Sequence, residues 1–379
     1  MAQHSHPPRR VAQSPKQNTF FGGAAVLAAG ILVVKLIGLF YKIPLLNIIG
    51  EQGTADFGNA YNIYAVLLTI STAGLPVAVS KLVSEANALG RQNQVRRTFR
   101  LAMALFLTLG VLSFLVMFFC ADQLAGLMHD SMAAPGIKAL APAVICVGCL
   151  SAFRGYAQGH GNMTPTAVSQ ILEALCKLVI GLGLAYWLVR AGQPSHVDAS
   201  HAAAGAITGV TVGTIVALVY MLMNFLITRG REGSLSDDRP DDALTILKDL
   251  LMIAVPITIS SSMVGIVTVI DSSLVQGQLQ RALLENPDTW ALYQGIVDFT
   301  DLEQALKAWK TALPQGGAVT MSLLEQSMAG QGGQAEAALA LHTTLESISR
   351  TLYGNYNGAL NIYNLPTSLM AAVTAAVIP

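Results

Sequence analysis

Apolar runs of membrane length alternate with short charged connections along this chain, and that pattern decides the fold class before any motif is read. The runs fall at Phe20–Ile49, Tyr61–Leu82, Leu101–Ala121, Ala139–Phe153, Pro165–Val189, Ala203–Thr228, Leu250–Val275 and Leu360–Pro379. Most reach the roughly 20 residues that carry an α-helix across a bilayer, and the short fourth run extends through Ala157. A backbone in lipid must satisfy its own hydrogen bonds, so such runs predict an all-α polytopic membrane protein with about eight spans. Only 12% of residues are charged, against about 25% in soluble domains. The zero formal net charge gives no sign of a nucleic-acid partner.

Charge placement predicts the orientation. With the N-terminus in the cytosol, the short inner segments hold Arg9, Arg10, Lys16, Lys81, Arg91, Arg96, Arg97, Arg100, Arg154, Arg229, Arg231, Arg239 and Lys248. The short outer loops hold only Lys138 and Arg190. Basic residues concentrate in cytosolic loops, and thirteen against two is a strong bias. The long 276–355 segment is left out, because long loops cross largely regardless of charge.

Composition shifts divide the chain. Residues 1–19 are polar, proline-containing and basic, without the apolar core of a secretory signal, and predict a disordered cytosolic tail. Residues 20–228 form a lobe of six spans. The charged, Gly- and Pro-containing stretch 229–249 is a cytosolic linker. Residues 250–379 begin a second lobe, with two spans flanking a long outer insertion at 276–355. Within it, Thr300 or Asp301 is placed to cap a short amphipathic helix bearing Leu302, Leu306 and Trp309. Asn62-Ile63-Tyr64 before Leu75-Pro76 is echoed by Asn361-Ile362-Tyr363 before Leu365-Pro366, as in transporters built from two related lobes.

The chemistry sits in charged residues inside the spans. An ionised group at the bilayer centre costs a few kcal/mol (roughly 2.5–3.5 on insertion scales), so it faces a protein interior or a water-filled cavity. The stretch FRGYAQGHGNMTPTAVSQILEALCK, Phe153 to Lys177, carries Arg154 at the end of one span. Thr166, Gln170, Glu173 and Lys177 follow on one face of the next. A Glu173–Lys177 ion pair that only fastens helices together is the plainer alternative. In the first span Lys35 and Lys42 are two helical turns apart and point the same way; Lys42 could instead reach the headgroups. Asp271 lies near the end of the seventh run, and Lys35 and Asp271 are expected to face one central cavity from opposite lobes. Pro76, Gly155, Gly159 and Pro165 are hinge candidates, because proline and glycine let a membrane helix bend. The four cysteines read as packing residues. Cys146 and Cys149 form a C-x-x-C with no second pair and no nearby histidine, so neither a metal nor another cofactor is expected.

Three segments carry a resemblance: GLFYKIPLLNIIG (Gly38–Gly50), NIYAVLLTISTAGLPVAVSKLVSE (Asn62–Glu85) and FRGYAQGHGNMTPTAVSQILE (Phe153–Glu173). They resemble the stage V sporulation protein B and polysaccharide-biosynthesis branch of the multidrug/oligosaccharidyl-lipid/polysaccharide exporter superfamily, a branch that includes lipid II flippases. The resemblance implies two six-helix lobes around a central cavity in a bacterial cytoplasmic membrane. It also implies alternating access that moves a polyprenyl-diphosphate-linked saccharide between leaflets, with membrane lipids as neighbours and no enzyme activity; H+, Na+ and the membrane potential stay open as the drive. Cationic residues of the first span and inner cavity would hold the diphosphate; the matching positions are Lys35 and Lys42, with Arg154 and Lys177 as further cavity candidates. Gln170, Glu173 and Asp271 are the polar or coupling candidates. Family members generally continue for several more spans, so the chain is expected to be the front portion of a longer protein or a truncated gene product.

Other classes make different demands. A cation-exporting drug antiporter of the same superfamily is expected to place a carboxylate early in its lobe, whereas the first span here has two lysines and no acid. A non-transporting scaffold for cell-wall or spore-coat assembly would need no charge inside the membrane. A membrane-embedded transferase would need clustered acids, and Asp237, Asp238, Asp241 and Asp242 lie in a linker without histidine.

Overall fold

The computed structural model describes residues 15–191, 196–229, 238–313 and 319–377, and these hold helices and no strands. In order they are α1 (Pro15–Thr72), α2 (Leu75–Ala88), α3 (Gln92–Phe119), α4 (Ala121–Leu127), a 3-10 turn (Ser131–Ala133), α5 (Ala134–Gly159) and α6 (Thr164–Cys176). A π turn (Lys177–Gly181) follows, then α7 (Leu182–Ala191), α8 (His196–Arg229), α9 (Ala243–Glu285), α10 (Asp288–Tyr293), α11 (Thr300–Ala312), α12 (Met321–Met328) and α13 (Gly333–Val377). Among the described residues, six stretches are long and apolar enough to cross a membrane: Ala25–Ala88, Gln92–Phe119, Ser131–Gly159, Thr164–Ala191, Ala199–Thr228 and Ala243–Glu285. The first, at 64 residues, holds two of the predicted runs. Large apolar side chains such as Phe40, Phe119, Val179 and Val264 are exposed on the outside, as lipid rather than water as solvent requires.

Helix α1 is two limbs. Gly50 sits at φ 67°, ψ −169°, a conformation open to glycine and costly for other residues. The chain doubles back there, so Gly23 lies against Met163 while Val83 lies against Gly159 near the same end of the bundle. The segment between the predicted first and second runs is therefore helix rather than loop, and α1 begins at Pro15, inside the predicted tail. Residues 1–14 of that tail, 230–237 of the predicted linker, and Ile378 and Pro379 of the eighth run lie outside the described residues. One end of the bundle carries Gly50, α4 and the 3-10 turn; the other carries Gly90, the α5–α6 connection and residues 238–242.

Helices α1 and α2 separate at Ala73–Gly74 because Pro76 has no N–H to continue the ladder. The Gly74 N–H donates to Thr258 Oγ1 at 3.2 Å, so the break is satisfied by α9. A Cβ on Gly74 would collide with the Ala254 carbonyl. Small residues set the other close contacts too. Gly205, Gly209 and Gly213, one per turn of α8, lie against Leu184, Gly181 and the Glu173 carbonyl. Backbones can approach closely only where side chains are absent.

The predicted insertion is shorter than its 276–355 expectation, since α9 runs on to Glu285 and α13 starts at Gly333. Helices α10, α11 and α12 form a separate layer whose core includes Leu283, Leu302, Leu306, Trp309, Leu324, Leu341 and Leu345. Leu302, Leu306 and Trp309 of α11 are buried as expected. The cap differs: Asp298 Oδ1, rather than Thr300 or Asp301, accepts from the Thr300 N–H at 3.0 Å and hydroxyl at 2.6 Å. These charge-assisted bonds hold the exposed Asp298 carboxyl below its ordinary range.

Candidate functional site

The hairpin at Gly50 brings Tyr41 of the first limb and Tyr61 of the second onto one side chain. Lys177 Nζ lies 4.9 Å from the Tyr41 ring centroid and 5.0 Å from that of Tyr61. Both are cation–π distances, and such contacts strengthen where water is excluded. The π turn at Lys177–Gly181 interrupts the helix where Lys177 projects; π turns inside α-helices are frequent at functional sites. The α8 glycines let that turn seat closely, and the Tyr41 hydroxyl donates to the Ala206 carbonyl of α8 at 3.4 Å.

Lys177 and Lys42 share a cavity of about 210 Å³ with Tyr41, Thr54, Tyr61 and Asn62, and Asn357 of α13 closes one side. Drug-sized ligands need pockets of about 300–1,000 Å³, so this cavity suits a headgroup. Its lining holds two lysines and no carboxylate. Lys35 is exposed, two turns from Lys42, and within electrostatic reach of Lys42 and Tyr61.

Arg154 is held differently. Its Nε donates to Ser169 Oγ at 2.9 Å and its terminal nitrogen pairs with Glu173 Oε2 at 3.0 Å. The Glu173–Lys177 pairing considered from spacing is thus corrected: Glu173 turns to α5, and the π turn sends Lys177 to the tyrosines. Gln170 Oε1 is buried without a hydrogen-bond partner. Asp271 is exposed on α9, beside Ser272, whose hydroxyl accepts from the cavity residue Asn62 at 3.1 Å.

The hinge candidates lie at contacts. A Cβ on Gly155 would stand 2.8 Å from the Pro76 carbonyl oxygen, and one on Gly159 would stand 2.7 Å from Val83. Pro165 opens α6 in its first turn, where a missing N–H costs nothing.

A second cluster, at the Gly50 end, escaped the sequence reading. Arg350 of α13 donates from Nε to Asp56 Oδ1 at 2.8 Å and from its terminal nitrogen to Oδ2 at 2.6 Å. Its Nε also lies 3.2 Å from Asp130 Oδ1. Asn59 donates to Asp130 Oδ2 at 2.7 Å, and Gln276 of α9 donates to Asn59 at 3.1 Å. Gln280 donates to the His129 carbonyl and to Ser349 Oγ, each at 3.0 Å. His129, at φ 53°, turns the chain so that Asp130 points inward. Glu346 accepts from the Ser131 N–H. Asp56, Asp130, Arg350 and Glu346 are all buried, and burial pushes the Asp130 carboxyl up. The available signals were i,i+4 pairs, Gln276 with Gln280 and Glu346 with Arg350, read as insertion surface.

Known proteins are similar to this chain. The model of the polysaccharide biosynthesis protein family matches residues 20–301. The chain is 31% identical over 209 residues to the lipid II flippase MurJ of Bacillus subtilis (strain 168), covering 52% of this chain and 38% of that protein. It is 32% identical over 213 residues to stage V sporulation protein B of the same organism, covering 55% and 39%. The chain spans about two fifths of the length of these curated relatives. A solved structure of MATE in complex with Br-NRF superposes with a TM-score of 0.57 at 15% identity, covering 96% of this chain and 74% of that one. At that identity the likeness is one of fold, the fold of the multidrug/oligosaccharidyl-lipid/polysaccharide superfamily.

Proposed function

The chain belongs to the polysaccharide biosynthesis protein family, and on that premise we propose that it serves in a flippase for a polyprenyl-diphosphate-linked saccharide. The observation that carries this reading is the cavity lining, which holds Lys42 and Lys177 and no carboxylate among the described residues, with the exposed Lys35 two helical turns from Lys42 outside it. A multiply anionic diphosphate is costly to move through a low-dielectric region, and charge-assisted hydrogen bonds from lysines offset that cost. The relative named as a lipid II flippase supports the same substrate class. The small cavity suits the diphosphate, which leaves saccharide and polyprenyl tail outside it.

In this reading the membrane is the bacterial cytoplasmic membrane and the N-terminus is cytosolic. Lys81, Arg91, Arg96, Arg97 and Arg100 then face the cytosol at the Gly90 end. The Asp56–Arg350 pair closes the outer end, and alternating access requires it to part. Vesicles containing the chain and a lipid-linked diphosphate saccharide test the proposal, with an impermeant enzyme reading the saccharide that reaches the outer leaflet. The expected result is transfer that stops in Lys42→Gln and Lys177→Gln. Absence of transfer, or full transfer in both variants, argues against it.

A further inference from the structure

The cluster at the Gly50 end has more acid than its one arginine can neutralise. Asp56, Asp130 and Glu346 converge around Arg350, all four buried. Glu346 has its own donor in the Ser131 N–H. Asp56 takes both arms of the guanidinium. Asp130 Oδ1 stands near Arg350 Nε at 3.2 Å but without hydrogen-bond geometry. Asp56 Oδ1 and Asp130 Oδ1 both face Arg350 Nε, at 2.8 and 3.2 Å. Two ionised carboxylates against one guanidinium would leave a buried negative charge unpaired, and a proton on either of them removes it. An independent sign is Gln276: wholly buried, it bonds through its amide nitrogen to Asn59 and so onward to Asp130, while its Oε1 has no partner.

We infer that Asp56 and Asp130 form a proton-binding site, carrying one shared proton while Arg350 is docked. With that proton the pair bears one negative charge against one guanidinium, and the buried cluster avoids an unpaired charge. Two carboxylates this close titrate as a unit. The other ionisable groups facing them are Arg350, Glu346 and Tyr353 on α13 and His129 beside Asp130, with Asp271 of α9 near Tyr353. When α13 withdraws and water enters, both carboxyls ionise and the proton leaves at the Gly50 end. Opening this end is thereby linked to proton release. The inference rests on the transport reading only for the place of that release in a cycle.

The test is infrared spectroscopy of the whole chain in detergent, which does not depend on transport. The expected result at neutral pH is a carbonyl stretch from a protonated, buried carboxyl that shifts on exchange into D2O. It should be lost in Asp56→Asn and in Asp130→Asn and kept in Glu346→Gln. A wild-type chain without the band, or a band unchanged by either Asn substitution, overturns the inference. Where an Asn variant does not accumulate, titration of the wild type decides. The band should persist well above the range of an ordinary carboxyl, and its loss within that range overturns the site.

Discussion

Arg350 and Asp56 lie 294 residues apart in the sequence and meet in a two-point ion pair at 2.8 and 2.6 Å, both buried. The pair joins α13 to the second limb of α1 at the Gly50 end of the bundle. Gln52 of α1 adds bonds to Ser347 and Thr351 of α13 at 3.0 and 3.1 Å. A guanidinium matches a carboxylate in this forked geometry, whereas a lysine would offer a point charge.

Removing one partner leaves the other charge buried and alone. Arg350→Ala or Asp56→Ala is expected to destabilise the chain by about 3–5 kcal/mol, and the double change by less than the sum. Denaturation of the four proteins of this cycle in one detergent checks it. Additive losses would mean that the two side chains do not act as a pair.

Close backbone contact makes a second expectation. Gly74→Ala drives a methyl group into the Ala254 carbonyl and Gly155→Ala drives one against Pro76, so both should destabilise by about 1–3 kcal/mol through overpacking. Gly126→Ala, with open space around its Cβ position, is the control. Thermal unfolding in detergent should rank Gly126→Ala well above the other two.

The layer formed by α10, α11 and α12 has its own core, centred on the fully buried Trp309. Trp309→Ala should cost that layer about 3–5 kcal/mol and open it to protease near α11. The membrane helices should remain protected. Cleavage spread evenly along the chain would show that the layer and bundle fold as one unit.

The fold class was legible because membrane-length apolar runs leave few alternatives to helices. The reversal between the first two runs was legible too, but its sharpness at Gly50 was not: Glu51 and Gln52 follow the glycine, and the polar stretch up to Tyr61 reads as loop although it is helix. Lys42 and Lys177 could both be marked as unusual charges, but their meeting depends on that reversal and on a π turn with no sequence signature. The partner of Glu173 went to Arg154 because a polar stripe fixes a face and leaves the neighbour open. Asp56 fell between two runs and was read as loop; Arg350 lay in a segment whose charges carry no orientation signal. The repeated glycines at 205, 209 and 213 were the clearest unread sign of where backbones touch.

The central claim is that Lys42 and Lys177 make the cavity a site for an anionic headgroup. Binding of a polyprenyl diphosphate and of the matching uncharged polyprenol to the chain in lipid nanodiscs tests it most directly. The account predicts at least about tenfold tighter binding of the diphosphate, near 1.4 kcal/mol, with that preference lost in Lys42→Gln and in Lys177→Gln. Equal affinity for the two lipids, or a preference that survives both substitutions, would contradict it.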